Sequence, residues 1–267
     1  MSQVSESILK NSTSPAAREL SNTFKEFCST VLHMHTLAAK IGSAFRVFSN
    51  TGDIKLLKLG DSEFTSISNR LKIYKDVFEM ASKQKELFNT VQEKQLLWFA
   101  LRSLRLAPPA EFFNILQNDH IVEVYMGTRQ VYRTFNYYSL CSYSLDELET
   151  TPWDQLFARK DPTVVEKIFG DVAVSLAERR IVHSEIPPHA VVETASALRN
   201  EFMYKLEFVA PLTDLDHNTQ DCFVAVLSAQ LVHTPDALER QKRQEDYEVK
   251  RFSEVQFLSD NVRPLFS

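Results

Sequence analysis

The sequence predicts an α+β fold in which a long helical segment precedes an antiparallel sheet. In residues 14–107 the apolar residues recur at steps of three and four, a spacing that keeps one face of a helix apolar. Pro108-Pro109 then interrupts this pattern, because proline cannot continue a helix. Beyond the two prolines the apolar residues alternate, as they do in strands, where successive side chains point to opposite faces.

The first predicted helix begins at Ser14-Pro15, an N-cap residue followed by proline at the first helical position. Residues 1–13 are polar and are expected to form a flexible N-terminus. The turn-forming residues 49–53 end the helix. Its apolar stripe is expected to pack against a partner helix through the following residues: Leu20, Phe24, Phe27, Val31, Ile41 and Phe45.

A second apolar stripe runs from Phe64 to Ala81, and a third continues to Leu101 after a slip in register near residues 82–86. This pattern predicts either one bent helix to about Leu106 or two helices in series. The third stripe comprises Leu87, Val91, Trp98 and Leu101. Two long amphipathic helices joined by a short loop must bury their apolar faces, so a hairpin or bundle, a coiled coil and a homodimer are expected.

Residues 108–234 are predicted to form the sheet domain. The alternating segments 121–126 and 129–135 flank Gly127-Thr128, which is typical of a hairpin turn. Short helices are expected around 143–150 and 162–181, followed by long strands at 201–212 and 221–234. Thr234-Pro235 then begins a C-terminal helix within residues 235–267, whose middle is charged on all sides.

This order of elements, together with several local motifs, resembles the PAS domain family over roughly residues 108–234. The matching residues are Gly127 in the turn, Asn136 at a strand end, the SYSLDEL stretch 142–148, WDQLF at 153–157 and Lys160-Asp161-Pro162. We expect Asn136 to bond its own backbone and Ser144 with Glu147 to form a capping box. The resemblance implies an antiparallel sheet of five strands with short helices.

The resemblance also implies a possible ligand pocket walled by aromatic residues. The candidates are Tyr132, Phe135, Tyr138, Tyr143, Trp153, Tyr204, Phe208 and Phe223. The alternative is that these rings form a sheet face and core without a ligand. The identity of any cofactor stays open.

Two histidine-based alternatives remain. The helix around His35, with Lys40 and Gly42, resembles the helix of histidine phosphotransfer domains. A haem-binding sensor of the PAS type would need an axial histidine, for which His183 and His189 are candidates. Cys141 lacks the Asn-Cys-Arg motif of flavin photosensors and is expected to be a buried thiol.

The sequence contains no GxSxG, HExxH or Walker motif and no CxxC pair, so no catalytic residue and no metal site is predicted. The carboxylates Glu123, Asp146, Glu147 and Asp154 show no pairing with a base. The chain is therefore not expected to be an enzyme.

Charge is unevenly distributed along the chain. Residues 1–107 contain 15 Lys and Arg against 10 Asp and Glu, a net charge of +5, and residues 108–267 contain 15 against 25, a net charge of -10. Neither half is basic enough to predict nucleic-acid binding. No secretory signal and no apolar window long enough for a membrane span is apparent, so a cytoplasmic location is expected.

Taken together, the sequence predicts a non-catalytic intracellular protein with a sensory or regulatory role. Its sheet domain would bind a small ligand or a partner protein of a signalling pathway. Its helices would mediate dimerisation and relay the signal.

Overall fold

The structure is a computed structural model, and its description covers part of the chain. The described residues are 29–30, 33–34, 61–143, 148, 151, 153–194, 199–216, 221–232, 238–239 and 242. Several sequence predictions therefore lie outside the described residues. These are the packing stripe of Leu20, Phe24, Phe27, Val31, Ile41 and Phe45, together with His35, the Ser144–Glu147 capping box and most of the C-terminal helix.

Two helices in series follow residue 60. Helix α1 spans Asp61–Phe88 and helix α2 spans Glu93–Ser103. Asn89 ends α1 with a left-handed backbone (φ 53°), a conformation that asparagine tolerates well at a helix end. The buried Gln84 connects the two helices across the break, because its side chain accepts a hydrogen bond from the Gln92 N–H at 2.9 Å. Of the two predicted alternatives, the structure has two helices.

The second predicted stripe is buried where its side chains are described: Leu71, Tyr74, Phe78 and Ala81. The prediction of a buried third stripe is only partly confirmed. Leu87 and Trp98 are exposed, at 75% and 49%, whereas Leu101 is buried. The reason is the break at Asn89, which gives α2 a new rotational setting, so that its buried face is formed by Leu96, Leu97, Ala100 and Leu101.

Residues 33–34 contact helix α1. His33 Nε2 lies 3.0 Å from Glu79 Oε1, and Met34 is fully buried in the hydrophobic core. The hydrogen bond from His33 is the main reason why the pKa of Glu79 is lowered. The part of the first predicted helix that the structure describes is therefore attached to α1.

The sheet is antiparallel and contains eight strands within the described residues. Strands of five residues or more are β2 (Ile121–Met126), β3 (Arg129–Arg133), β6 (His189–Glu193), β7 (Glu201–Asp214) and β8 (Cys222–Leu231). Three shorter strands are β1 (Leu106–Ala107), β4 (Phe157–Arg159) and β5 (Val182–His183).

The strand order is β3-β2-β8-β7-β6-β4, and β1 and β5 both pair with β7. Five strands were expected and eight are present. The additional strands have two or three residues, too few to produce an alternating pattern in the sequence. Strand β1 also lies before the double proline, so the sheet begins two residues earlier than the predicted start at residue 108.

The hairpin between β2 and β3 turns at Gly127, as predicted. Gly127 has a φ of 61°, a left-handed conformation that glycine adopts without a steric penalty. Strand β3 ends at Arg133 rather than Phe135, because residues Phe135–Ser139 form a 3-10 helix. Nearly all of β2 is buried, since both faces of the sheet are covered in this region.

Short helices connect the strands. Helix α3 spans Phe112–Ile115, α4 spans Trp153–Leu156 and α5 spans Thr163–Glu178. Helix α5 agrees with the prediction of a helix at 162–181 and packs against β7 and β8. Its buried face consists of Val164, Ile168, Val172 and Ser175. On the side of β3, helix α1 stacks Tyr74 on Tyr132 and Phe78 on Phe135.

Asn136 connects the segment after β3 to the residue that precedes β2. Its amide donates to the His120 carbonyl at 2.9 Å, and its Oδ1 accepts a hydrogen bond from the Thr134 hydroxyl at 2.7 Å. The Val122 N–H donates to the same threonine oxygen. These bonds bridge two chain segments, because β2 and β3 lie side by side.

No helix within the described residues is long and apolar enough to cross a membrane.

Candidate functional site

A pocket lies between the sheet and the helices α4 and α5. Its volume is about 30 Å³, enough for roughly one or two water molecules. Its polar lining consists of Glu123, Tyr125, Gln130, Arg159 and Tyr204. Its apolar lining includes Trp153, Ile168, Phe169, Val172, Leu206 and Phe223.

Strand alternation and cross-strand pairing bring the sheet residues of the pocket together. Glu123 and Tyr125 are two residues apart on β2 and therefore face the same side. In the register of the sheet, Tyr125 is opposite Gln130 on β3 and opposite Phe223 on β8. The Tyr125 and Phe223 rings are stacked, with centroids 4.7 Å apart. These pairs form the floor of the pocket.

Trp153 and Phe169 form the outer wall. The Trp153 ring lies 5.3 Å from the Phe169 ring and 6.3 Å from the Tyr125 ring, centroid to centroid. Phe169 is 48% exposed although it is a large apolar residue. The helical side of the pocket therefore includes two aromatic side chains in contact, one on α4 and one on α5, and the one on α5 reaches solvent.

Glu123 is a buried carboxylate with nearby donors. It is 6% exposed, and its Oε2 accepts a hydrogen bond from the Tyr125 hydroxyl at 2.9 Å. The register places it opposite Arg133, which is fully buried. Burial raises the pKa of Tyr125 well above its ordinary value, so this hydroxyl remains a donor. A buried glutamate on β2 is therefore opposite a buried arginine on β3.

Arg159, on β4, supplies the second positive charge near the pocket. Its Nε and Nη1 atoms are buried and have no hydrogen-bond partner among the described residues. The guanidinium lies 5.9 Å from the centre of the Trp153 ring and 5.8 Å from that of Tyr204, within the range of cation–π attraction. Aromatic rings contact this cation, and they do not accept its N–H groups as an anion would.

Gln130 adds a second unsatisfied donor. Its side chain is 8% exposed, and its Nε2 has no hydrogen-bond partner in the part of the chain that the structure describes. A buried amide N–H without an acceptor is costly, on the order of 1–3 kcal/mol. The pocket is therefore apolar on its helical side and offers donors on its sheet side.

Three of the eight predicted ligand residues line this pocket: Trp153, Tyr204 and Phe223. The others lie elsewhere. Tyr132 and Phe135 stack on helix α1, and Tyr138 donates its hydroxyl hydrogen to the Tyr74 hydroxyl at 3.2 Å.

Two irregularities in the sheet explain part of this difference. The register shift between Val124 and Tyr125 allows Gln130 to face the pocket while Tyr132 contacts α1, although the two residues are two positions apart. A similar shift between Leu206 and Phe208 turns Phe208 away from the pocket, towards Phe112. Bulges change which face a residue occupies, and a simple alternation cannot reveal them.

Tyr143, another predicted ligand residue, connects the end of α4 to the end of β6 beside the pocket. Its hydroxyl donates to the Leu156 carbonyl and accepts a hydrogen bond from the Thr194 N–H at 2.9 Å. The buried Glu193 acts in a similar way, accepting hydrogen bonds from the Ser142 N–H and hydroxyl and from the Asn200 N–H. Both residues position the β4–β6 edge that includes Arg159.

Sequence reasoning did not identify Gln130 or Arg159. In the sequence, Gln130 is a polar residue within a predicted strand. The face of the sheet that its side chain occupies depends on the bulge, which the sequence does not show. Arg159 is on β4, a strand of three residues with no periodic pattern. The sequence identifies Glu123 as a carboxylate, but only the register of the sheet shows the buried arginine opposite it.

The two histidines that were considered as haem ligands are on strands. His183 is in β5, where its ring packs against Phe208, and His189 begins β6. The His189 Nδ1 lies 3.1 Å from the Pro187 carbonyl oxygen, and its ring lies 5.5 Å from the Tyr204 ring. Burial lowers the pKa of His189. Neither residue belongs to helix α5, which ends at Glu178.

No group of three histidine, cysteine, aspartate or glutamate side chains that could hold a metal ion occurs in the described ranges. Cys141 is fully buried, in agreement with the prediction of a buried thiol.

Comparisons with models of known protein families, with curated proteins and with solved structures found no match.

Proposed function

We propose that this chain is a regulatory protein that senses a small molecule through the pocket between the sheet and helices α4 and α5. It acts by binding rather than by catalysis. The observation on which this depends is an aromatic pocket whose sheet side has buried donors without acceptors, Gln130 Nε2 and Arg159 Nε and Nη1. A small molecule with suitable acceptors would satisfy these donors, which explains why such costly groups are kept in the core.

The order of elements supports a PAS-like assignment of the sheet domain. A hairpin that turns at Gly127 is followed by short helical segments, the longer helix α5 and then the long strands β7 and β8. This is the order that suggested the resemblance from sequence. The Trp153–Leu156 segment, part of the resemblance, is a short helix and supplies one wall of the pocket.

A route exists from the pocket to helix α1. Glu123, in the pocket lining, is opposite Arg133 on β3. The Arg133 N–H in turn donates to the Tyr74 hydroxyl of α1 at 3.0 Å. A ligand that changes the position of the β2–β3 hairpin would therefore change the packing of α1. In this proposal the ligand acts by shifting the population between two helix arrangements.

We further propose that the helical segment forms a homodimer. The described part of this segment leaves three large apolar residues exposed: Leu87 and Phe88 at the end of α1, and Trp98 in the middle of α2. Light scattering after size exclusion measures the mass directly. The proposal predicts twice the chain mass of 30.7 kDa. A monomer at high micromolar concentration would contradict the dimer but not the pocket.

Tryptophan fluorescence tests the sensing function. The chain has two tryptophans, and Trp98→Phe removes the exposed one and leaves Trp153 as the reporter at the pocket wall. This 267-residue variant is titrated with small acids, amides and amines. The proposal predicts a saturable change with at least one class of compound. The opposite result is an unchanged signal with every class at millimolar concentration, together with a native mass spectrum that shows protein alone.

A further inference from the structure

We propose that the pocket binds a small organic carboxylate, whose negative charge pairs with Arg159 and whose apolar group lies against Trp153 and Phe169. This inference rests on the proposed function and specifies the chemical class of the ligand.

The first reason is the environment of the Arg159 guanidinium group. Two of its guanidinium nitrogens, Nε and Nη1, are buried without a hydrogen-bond acceptor among the described residues. Arginine cannot lose its proton at physiological pH, so its charge must be compensated when it is shielded from water. The Trp153 and Tyr204 rings provide only part of this compensation. A carboxylate provides both the charge and the acceptor atoms that the guanidinium lacks.

Gln130 is an independent second reason. It lines the same pocket, is 92% buried and has an Nε2 donor without an acceptor. It is located on β3, whereas Arg159 is on β4 at the other end of the strand order. Donors from the two outermost strands of the order therefore converge on one pocket. Both require an acceptor, and a ligand with oxygen atoms meets that requirement.

The other charges near the pocket argue against different ligand classes. The Glu123 carboxylate accepts a hydrogen bond from the Tyr125 hydroxyl and lies opposite Arg133 in the register of the sheet. An amine would be repelled by Arg159. A doubly charged phosphate would be repelled by Glu123 and would find one arginine where phosphate sites use several donors. A ligand with one negative charge therefore fits the charged residues around the pocket best.

The pocket walls limit the rest of the ligand. The helical side consists of Trp153, Ile168, Phe169 and Val172, which offer no charged group. The present volume of about 30 Å³ is smaller than most carboxylic acids require. Binding therefore requires Trp153 or Phe169 to move outward, and Phe169 is already half exposed. We infer a short alkyl or single-ring acid that takes over the contacts of the displaced aromatic side chain.

Calorimetry on the 267-residue chain tests this inference. The probes are acetate, benzoate and phenylacetate, each compared with its amide, and phenethylamine as the cationic probe. We expect at least one acid to bind and its amide to bind at least about tenfold more weakly, because the amide lacks the charge. Arg159→Gln should weaken binding of the acid by a similar factor. Arg180→Gln, a substitution of an exposed arginine that pairs with Glu178, is the matched control and should leave binding unchanged.

A folding defect in Arg159→Gln is detected by its circular dichroism melting curve. In that case Gln130→Leu is the second variant, since it removes a donor and introduces no charge. We expect it to weaken binding of the acid several-fold. Amides that bind as tightly as acids, or an Arg159→Gln variant that folds and binds the acids normally, would overturn the carboxylate inference. If only amides or amines bind, the sensing function stands and the carboxylate class is wrong. If no probe changes Trp153 fluorescence, both proposals fail.

Discussion

The hydroxyl of Tyr74 accepts a hydrogen bond from the backbone N–H of Arg133 at 3.0 Å, joining residues 59 positions apart. Arg133 belongs to β3, which is at the end of the strand order. An edge strand presents backbone groups that need partners, and helix α1 supplies one of them. Tyr138 donates to the same hydroxyl at 3.2 Å. One phenol therefore connects the helical segment to the sheet.

Tyr74→Phe should destabilise the protein, because it removes the acceptor for two buried groups while keeping the ring. The expected loss is about 1–3 kcal/mol in the free energy of unfolding. Tyr132→Phe is the matched control. The Tyr132 hydroxyl is buried without a hydrogen-bond partner among the described residues, so its removal should be neutral or stabilising. Urea denaturation measures both variants. Equal stability of the two variants would mean that the Tyr74 bond does not hold α1 to the sheet.

Glu93 should make stability depend on pH. It is largely buried, its Oε2 accepts a hydrogen bond from the Phe135 N–H at 3.3 Å, and burial raises its pKa above the ordinary value of 4.5. Between the two pKa values the folded protein binds more protons than the unfolded chain. The contribution of Glu93 to stability therefore falls as pH rises above 4.5.

Glu93→Gln keeps an acceptor oxygen and removes the charge. We expect this variant to be more stable than the parent at pH 7, by on the order of 1 kcal/mol, and the advantage to shrink as pH falls towards 4.5. Thermal melts at several pH values between 4.5 and 7 measure the difference. An advantage that is constant over this range would rule out titration of Glu93 as its origin.

Two glycine substitutions should have opposite effects. Gly127→Ala places a Cβ on a backbone with φ 61°, and we expect a loss of about 1 kcal/mol, although no atom lies within 4 Å of the new carbon. Gly170→Ala is within helix α5, also has open space, and should gain about 0.5–1 kcal/mol. Denaturant unfolding of the two variants measures the sign of each change in the free energy of unfolding. A loss at Gly170 would indicate that α5 is not helical there.

Glu193→Ala should loosen the edge that supports Arg159. The variant loses the acceptor for three donors of Ser142 and Asn200, and Glu193 is 1% exposed. We expect a loss of about 3 kcal/mol or more in unfolding free energy. The control is Glu178→Ala, at an exposed residue paired with Arg180, which should change stability by less than about 0.5 kcal/mol. Similar losses in both variants would argue against a supporting role for Glu193.

The main elements of the fold could be predicted because their patterns are long. The hairpin at Gly127, helix α5 and strands β7 and β8 each have a periodicity that extends over several residues. Short elements could not be predicted. Strands β1, β4 and β5 have two or three residues and depend on pairing with distant strands, which local sequence does not record.

The pocket was predictable only in part. Trp153, Tyr204 and Phe223 were expected in it because aromatic residues on strands and on a short helix suggest a wall. Tyr132 and Phe208 were expected there too, and bulges place them elsewhere. The polar residues Gln130 and Arg159 could not be predicted as pocket residues. They are identified by buried donor atoms that lack hydrogen-bond partners, and only the three-dimensional packing shows which atoms these are.

A nitrogen–proton NMR titration of the 267-residue chain with a set of small acids, amides and amines tests whether the pocket is a ligand site. Trp153 and Gln130 have side-chain N–H groups in the pocket, and Trp98, exposed on α2, provides an internal control. We predict that at least one class of compound shifts the Trp153 indole and Gln130 amide signals in a saturable way and leaves the Trp98 indole unchanged. If no compound shifts the pocket signals, or if all three groups shift equally, the pocket is not a ligand site.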